Sequence, residues 1–309
     1  MDSNKSVAIL IPIYNRKDNI DKCLKALFAS TYGNFQIVII DDGSTDGSYE
    51  YIVSNFPQAV VVRGDGTLWW AGAINKGIDY AIENGYDYVL TYNDDQVCNP
   101  DFLERLMSYS SDNKILSSLV LYQSDPERIL SSGIMFDYKK AQTRGYLNER
   151  KVHELVSGPY SVDATPGYSV LIPVTSIKKY GKFDQIRFPQ INMELEFCLR
   201  MKSERVLIYV VPESKVWNDR SDKSRDPISF RNPFRRAKWF AGNIKSDLSF
   251  RQAKYLQRIL AQYSQGNRLL LFIKYWSRYV VKFFFKSLFT KKQRKRITSL
   301  FNYNYDFWA

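Results

Sequence analysis

In residues 1–120, short apolar runs alternate with stretches whose apolar positions recur every three or four residues. SVAILIPIY (6–14), FQIVIID (35–41), AVVVR (59–63) and DYVLTY (87–92) are short and rich in β-branched residues, which predicts four strands. Between them, KDNIDKCLKALFAS (17–30) sets Ile20, Leu24, Leu27 and Phe28 at helical spacing. DGSTDGSYEYIVSNF reads as a turn feeding a helix, and AGAINKGIDYAIENG (71–85) as a helix stopped by Gly85. PDFLERLMSY follows the fourth strand as a helix with Pro100 at its start. Strand–helix alternation of this kind predicts a parallel, doubly wound α/β sheet. Further on the rhythm loosens, with strands near SSLVLY, GYSVLIPV and VLIYVV and a helix around MELEFCLRMK. From about residue 225 the chain turns helical, aromatic and basic, so the expected division is 1–225 and 226–309. No internal repeat or low-complexity linker interrupts it.

A chain of 309 residues can bury a sizeable core, as one large domain or a domain with an appendage. Cys23, Cys98 and Cys198 share no CxxC spacing and His153 is the single histidine, so neither a zinc site nor a disulfide framework is expected. The first apolar run is broken by Pro12 and too short for a signal peptide, and a reducing cytoplasm is the expected compartment. The net charge is +12, yet ten basic residues and no acid lie between Arg268 and Arg296, which leaves +2 for the rest. The body is nearly balanced and the tail is basic.

Chemistry is expected at one place first. In doubly wound sheets, ligands gather at the carboxyl ends of the strands, where Asp41, Asp42, Asp94 and Asp95 all fall. Burying such charge costs several kcal/mol unless a cation or donor meets it. Asp41-Asp42-Gly43-Ser44 admits a tight turn with an Asx cap, or a carboxylate at position 42 that accepts the imide N–H of a pyrimidine base. Asp94 and Asp95 could cap the helix after Pro100 or pair with a surface lysine. They also suit Mg2+ or Mn2+, held by one or two carboxylates with diphosphate oxygens and water completing the shell. The glycines of GDGTLWWAGAINKGI could let amides approach a phosphate, although the spacing is neither GxGxxG nor a P-loop. Trp69 and Trp70 there could equally anchor the loop on the core. On a helix, Glu194 and Glu196 of NMELEFCLRMK point about 200° apart, and Glu196 can pair with Arg200 four residues on. Glu194 is then left to face elsewhere, although both glutamates could be ordinary exposed helix residues.

IPIYNR, VIIDDGSTDGS, GDGTLWWAGAINKGI and LTYNDDQVCNPDFL, in this order, resemble the family 2 glycosyltransferases, in particular bacterial rhamnosyltransferases, over residues 6–217. The resemblance implies the GT-A fold, a Rossmann-like, mostly parallel sheet with flanking helices. It implies that Asp42 contacts the base, that Asp95 is the metal ligand for Mg2+ or Mn2+, and that Asp94 lies near the ribose or diphosphate. Asn93 departs from the first acid of the family's DxD pattern. Pro12, Tyr14, Gly64, Trp69, Trp70, Asn75, Glu196 and Arg200 are the further expected substrate-binding residues, and Glu194 is the expected catalytic base. Many relatives carry a histidine near Trp217, where this chain has Asn218. The implied activity is inverting transfer of a hexose, rhamnose from dTDP-rhamnose being one case, from a dTDP- or UDP-sugar to a hydroxyl of a growing, lipid-linked, cell-surface polysaccharide. A non-catalytic nucleotide-sugar-binding or scaffold module at the membrane is the alternative.

In the tail, Lys274, Arg278, Lys282 and Lys286 form one stripe, with Leu270, Phe272, Ile273, Trp276, Phe283 and Phe284 opposite. About 21 helical residues, roughly 31 Å, could reach across a bilayer, but the central cations would cost about 2.5–3.5 kcal/mol each there. The expectation is a helix lying in the interface at the inner face of the cell membrane, with Lys291 to Arg296 adding about 1 kcal/mol per charge against anionic lipid. Packing on the catalytic domain or on a second subunit, as a homodimer, is the alternative. No nucleic-acid partner is expected, because no nucleic-acid-binding motif accompanies the charge.

Overall fold

A computed structural model describes residues 5–155, 157–219, 232–243, 246, 249–290, 293, 294, 296 and 297. In chain order the elements are β1 (Val7–Ile13), α1 (Lys17–Phe28), β2 (Phe35–Asp41), α2 (Ser48–Asn55), β3 (Val60–Arg63), α3 (Trp69–Glu83) and β4 (Tyr88–Tyr92). There follow β5 (Gln96–Cys98), α4 (Phe102–Met107), β6 (Lys114–Tyr122), β7 (Asp125–Ser131), β8 (Ile134–Asp137), β9 (Gln142–Gly145), β10 (Tyr160–Ser161) and β11 (Ser169–Pro173). The chain continues through α5 (Val174–Tyr180), α6 (Met193–Ser203), β12 (Leu207–Asn218), α7 (Pro233–Gly242), α8 (Phe250–Tyr263) and α9 (Arg268–Leu288). Chain contacts divide it into two compact units, Met1–Phe136 with Thr143–Arg220, and Asp137–Gln142 with Ser221–Ala309.

The sheet of the first unit runs β10-β12-β6-β11-β4-β1-β2-β3, with β5 on β12 and β7 on β6. β1 is parallel to β2 and β4, β2 to β3, and β6 to β12. The sheet is thus mostly parallel, with helices, as expected. Within the main path two strands depart: β10 pairs antiparallel with β12, and β11 runs antiparallel between β4 and β6. The β11 residues SVLIP are buried throughout, so their pattern is the same in either direction.

Val7, Ile9, Ile11 and Ile13 of β1 share a core cluster with Ile20, Leu24 and Leu27 of α1 and Leu103 and Leu106 of α4. Alternate residues meet α3, where a Cβ on Gly77 would lie 2.8 Å from Ile40 Cδ1 and 3.0 Å from Leu10 Cδ2. Glycine lets the helix settle on the sheet. Both faces are covered, which is why these strands are continuous apolar runs rather than alternating ones. The pairings Ile13 with Asp41 and Leu10 with Thr91 bring the carboxyl ends of β1, β2 and β4 to one rim.

In the second unit, Asn232 caps α7 and Asn267 caps α9, each accepting from two amides of the first turn. Arg236 is buried and donates to the carbonyls of Ser287 and Leu288 at the end of α9, and Arg294, also buried, donates to those of Lys286 and Phe289. Cations at a helix C-terminus are favoured by its dipole. Two expectations change as a result. Arg294 serves this helix end and not a lipid-facing cluster, and Lys286 is buried at the end of the cationic stripe. Lys291, Lys292 and Lys295 of that cluster lie outside the described residues, as does the expected boundary at 225.

The apolar residues of α9 also divide. Phe272, Trp276, Tyr279 and Phe283 form a chain of ring contacts, joined by Phe250 of α8. Leu270, Ile273 and Phe284 stand exposed with Leu269, Val280, Val281 and Leu288, and Phe272 of the ring chain is exposed as well. Among the described residues, no helix is long and apolar enough to cross a membrane.

Candidate active site

The first wall of the rim is the end of β2. Asp41 is fully buried, and its carboxylate pairs with Arg63 at 2.7 Å and accepts from the Ser44 amide at 2.9 Å, closing the turn. Asp42 Oδ1 accepts from Gly66 N at 2.9 Å, and its Oδ2 accepts from Leu68 N at 3.0 Å and Trp69 N at 3.2 Å. This carboxylate therefore holds the loop that leads into α3. Gly64 allows it, since a Cβ there would lie 2.6 Å from Asp42 Oδ1. The next α3 amides are taken as well: Trp70 N donates to Gln190 Oε1 at 3.0 Å and Ala71 N to Pro189 O at 2.9 Å. The start of α3 is capped by protein groups, so the amides considered above as a phosphate cradle have partners already. Asn75, also on α3, accepts from Phe183 N at 3.1 Å and donates to Phe183 O at 2.8 Å and to Gln185 Oε1 at 2.7 Å, which braces the segment carrying Pro189 and Gln190.

The end of β1 is tied to this wall. Asn15 takes a left-handed conformation at φ 54°, its Oδ1 accepts from Thr45 N and its own amide donates to Ser44 Oγ. Pro12 lies within β1 opposite Ile40, and Tyr14 stands 56% exposed just past the strand.

Trp70 connects the walls. Its Nε1 donates to Asn93 Oδ1 at 3.1 Å, and its ring meets Phe183 edge-on at 5.5 Å. Gly167 lies against it so closely that a Cβ would stand 2.7 Å from Trp70 Cζ2 and 3.1 Å from Glu194 Cγ. Gly167 N donates to Glu194 Oε1 at 3.3 Å. The Asn93 loop, the indole and the Glu194 carboxylate are thus contiguous, and Trp69, 39% exposed at φ 57°, follows the loop held by Asp42.

The adjacent acids after β4 have partners that the sequence reading did not foresee. Asp94 is in an ion pair with Arg16, and Asp95 Oδ1 accepts from Asn218 Nδ2 at 2.8 Å. Asn218 is buried, held by the antiparallel pairing of β12 with β5, and Asp219 N donates to Asp95 O at 3.0 Å. The guanidinium and the amide offset much of the burial cost that made these acids conspicuous. Beneath them, Cys23 Sγ donates to Asn93 O at 3.6 Å. Burial, with the Asp94 charge next in size, pushes the Cys23 thiol up, and burial raises Cys98 to about 12. Both thiols are neutral at ordinary pH.

Glu196 and Arg200 form the expected pair, doubly bonded at 2.9 and 3.1 Å, with Arg200 also donating to the carbonyls of Tyr180 and Lys182. Their polar atoms serve one another and the end of α5. Arg16, Gly167 and Gln190 are residues that the sequence reading did not single out. Arg16 stood in a quoted motif, whereas Gly167 and Gln190 carried no local signal. Among the described residues, no group of three or more His, Cys, Asp or Glu could hold a metal ion by itself. The donors at the rim are hard carboxylate oxygens, which fit Mg2+ or Mn2+ with water or a ligand's oxygens completing the shell.

The mostly parallel sheet, its flanking helices and the acidic rim define a GT-A fold. The family model described as Glycosyl transferase family 2 matches residues 8–162. The chain belongs to glycosyl transferase family 2. It is 23% identical over 229 residues to Glycosyltransferase GlyA of Streptococcus pneumoniae serotype 4, covering 70% of this chain and 30% of that protein. It is 30% identical over 118 residues to the uncharacterized glycosyltransferase YibD of Escherichia coli strain K12, covering 37% and 33% respectively. The chain thus spans about a third of the length of these curated relatives. Among solved structures, the mannosyltransferase PcManGT from Pyrobaculum calidifontis in complex with GDP-Man and Mn2+ aligns with a TM-score of 0.55 at 14% identity, covering 99% of this chain and 83% of that one.

Proposed function

We propose that this chain is an inverting glycosyltransferase that moves a sugar from a nucleoside diphosphate to an acceptor hydroxyl. The observation that carries the reading is the junction at Trp70, which is bonded to the Asn93–Asp95 loop and lies against Gly167, whose amide is bonded to the Glu194 carboxylate. Glu194 takes the proton of the acceptor hydroxyl as its oxygen bonds to the anomeric carbon. The bond from that carbon to the diphosphate breaks in the same step, and the nucleoside diphosphate leaves with the electron pair. A single in-line displacement inverts the anomeric centre. A divalent cation, Mg2+ or Mn2+, when bound, supplies charge neutralisation for the leaving diphosphate. Asp95 would hold it, oriented by Asn218, with Asp94 beside it. Asp42 accepts the imide N–H of a pyrimidine base on Oδ1, which takes one loop amide where Oδ2 takes two. Tyr14 and Trp69 supply exposed aromatic faces at the same rim. The donor is a dTDP- or UDP-sugar, rhamnose being the first to try. Binding of GDP-Man and Mn2+ by the structural relative supports a metal-assisted nucleotide-sugar reaction.

The acceptor in this reading is a lipid-linked cell-surface glycan met at the cytoplasmic face of the membrane, with 226–309 as the membrane-associating region. The exposed stripe of Leu269, Leu270, Ile273, Val280, Val281, Phe284 and Leu288 along α9, with exposed Arg278 on the same helix, supports this placement.

The test is nucleotide release and sugar transfer from a panel of dTDP-, UDP- and GDP-sugars with Mn2+. Wild type should turn over at least one donor, and Asp95→Ala and Glu194→Ala should each lose transfer while keeping the wild-type circular dichroism spectrum. Mn2+ affinity, read by titration calorimetry, should fall in Asp95→Ala and stay unchanged in Glu194→Ala. Donor binding by the wild type with no turnover of any donor would favour a non-catalytic module.

A further inference from the structure

The second unit holds a cleft of about 480 Å3, lined by Arg235, Lys238, Trp239 and Gly242 of α7 and by Asn243 at its end. That volume falls within the usual range for small-molecule sites. The four helical residues recur three and four positions apart, so they share one face of α7. Arg236 and Phe240 lie buried on another face, and Arg236 is committed to the carbonyls at the end of α9. Arg235 and Lys238 stand exposed. Trp239 is partly buried, and its ring meets Phe240 edge-on at 5.3 Å, which steadies the indole. Indole carbons, the Gly242 methylene and the stems of the two cations make the floor of the cleft mostly apolar, with charge at its rim. Apolar groups also stand beside it. Arg236 brings the first turn of α7 to Leu288, which is 55% exposed, and Phe234, next to Arg235, is 84% exposed.

We propose that this cleft binds the phosphate headgroup of an anionic membrane lipid; this rests on the membrane placement of residues 226–309 given above. The planar fork of Arg235 meets two phosphate oxygens, and Lys238 adds a second positive charge. The glycerol and first acyl carbons lie on the indole, a ring favoured where an apolar layer meets a polar one. A free phosphate would use the rim alone and leave the apolar floor uncovered. A lipid uses both, and it reaches the cleft from the apolar layer that Phe234 and Leu288 suit. α9 then supplies apolar contact with any bilayer, and α7 supplies the preference for anionic lipid.

Gly242 gives a test that leaves the charge alone. An added Cβ there meets nothing within 4 Å, so Gly242→Leu fills the cleft without straining the helix end. Calorimetry measures binding of water-soluble dihexanoylphosphatidic acid, dihexanoylphosphatidylcholine and inorganic phosphate. Sedimentation measures binding to phosphatidylcholine vesicles with and without phosphatidic acid. Wild type should bind the short-chain phosphatidic acid saturably and more tightly than the other two. Arg235→Ala and Gly242→Leu should each weaken that binding by about tenfold, the worth of one charge-assisted hydrogen bond. Lys254→Ala, which removes an exposed charge from α8, should leave it unchanged. On vesicles, the preference for phosphatidic acid should shrink by about fivefold in Arg235→Ala, and it should shrink in the charge-neutral Gly242→Leu as well. Equal losses in Lys254→Ala and Arg235→Ala with none in Gly242→Leu would mean diffuse attraction and overturn the proposal. Inorganic phosphate bound as tightly as the lipid would overturn it too. Unchanged lipid binding in both α7 variants, with wild type still sedimenting with vesicles, would remove the cleft and leave the membrane placement standing. A wild type that sediments with neither kind of vesicle would overturn both.

Discussion

Gly167→Ala tests the junction on which the catalytic reading depends. Its φ is not in the left-handed region, so alanine meets no backbone penalty and the effect is steric. The new Cβ would lie 2.7 and 2.8 Å from two ring carbons of Trp70 and 3.1 Å from Glu194 Cγ. Comfortable carbon contacts begin near 3.5 Å, so the indole must retreat by roughly 1 Å. It cannot do so freely, because Nε1 is bonded to Asn93 Oδ1 at 3.1 Å and the ring edge packs on Phe183. Overpacking of this kind costs about 1–3 kcal/mol, which in a unit of this size lowers Tm by roughly 3–10 °C. A misplacement near 1 Å at a reacting group can cost about a hundredfold in rate. The expected result is a folded protein with that loss in kcat for sugar transfer and a smaller change in donor KM. Gly33→Ala is the control, since nothing lies within 4 Å of its added Cβ. Wild-type Tm and kcat in Gly167→Ala would refute the packing argument, and an equal loss in Gly33→Ala would remove its specificity.

Asn218→Ala removes the amide that orients Asp95; loss of such a supporting bond should weaken Mn2+ binding by about 10–100-fold with the fold retained, and unchanged Mn2+ affinity by calorimetry would show that Asp95 needs no such support. Burial raises Cys198 to about 11 and Cys98 to about 12 from 9.0, so the folded state holds these protons more tightly than the unfolded chain. Their contribution is complete below pH 9 and is lost as pH climbs toward 11–12; the urea midpoint should fall between pH 9 and 10.5, less steeply in Cys198→Ala, and parallel slopes would contradict this. For α9, Ile273→Asp with Phe284→Asp should reduce sedimentation with phosphatidylserine vesicles by about tenfold or more. Equal binding by this variant, or a stronger preference of wild type for phosphatidylcholine, would speak against the lipid face.

Much of this protein was already legible in its sequence, because strand and helix periodicity are local. Short, β-branched apolar runs bounded by turn residues read as strands covered on both faces, and they announced β1, β2 and β4 and hence the rim where Asp41, Asp42, Asp94 and Asp95 gather. The i, i+4 pairing of Glu196 with Arg200 was likewise a matter of helix geometry alone. Tertiary structure alone decided partners that meet across long loops. Asp95 and Asn218 are joined by an antiparallel pairing of β5 with β12, and Asp94 and Arg16 by the neighbouring of β4 with β1. Gly167 acquires its importance only where an indole and a carboxylate close on it from α3 and α6. The direction of β11 was hidden for the same reason: a fully buried strand has the same pattern either way, and only its neighbours choose. On α9, periodicity marked an apolar side but could not divide it, since packing within the second unit decides which rings are covered and which residues face outward.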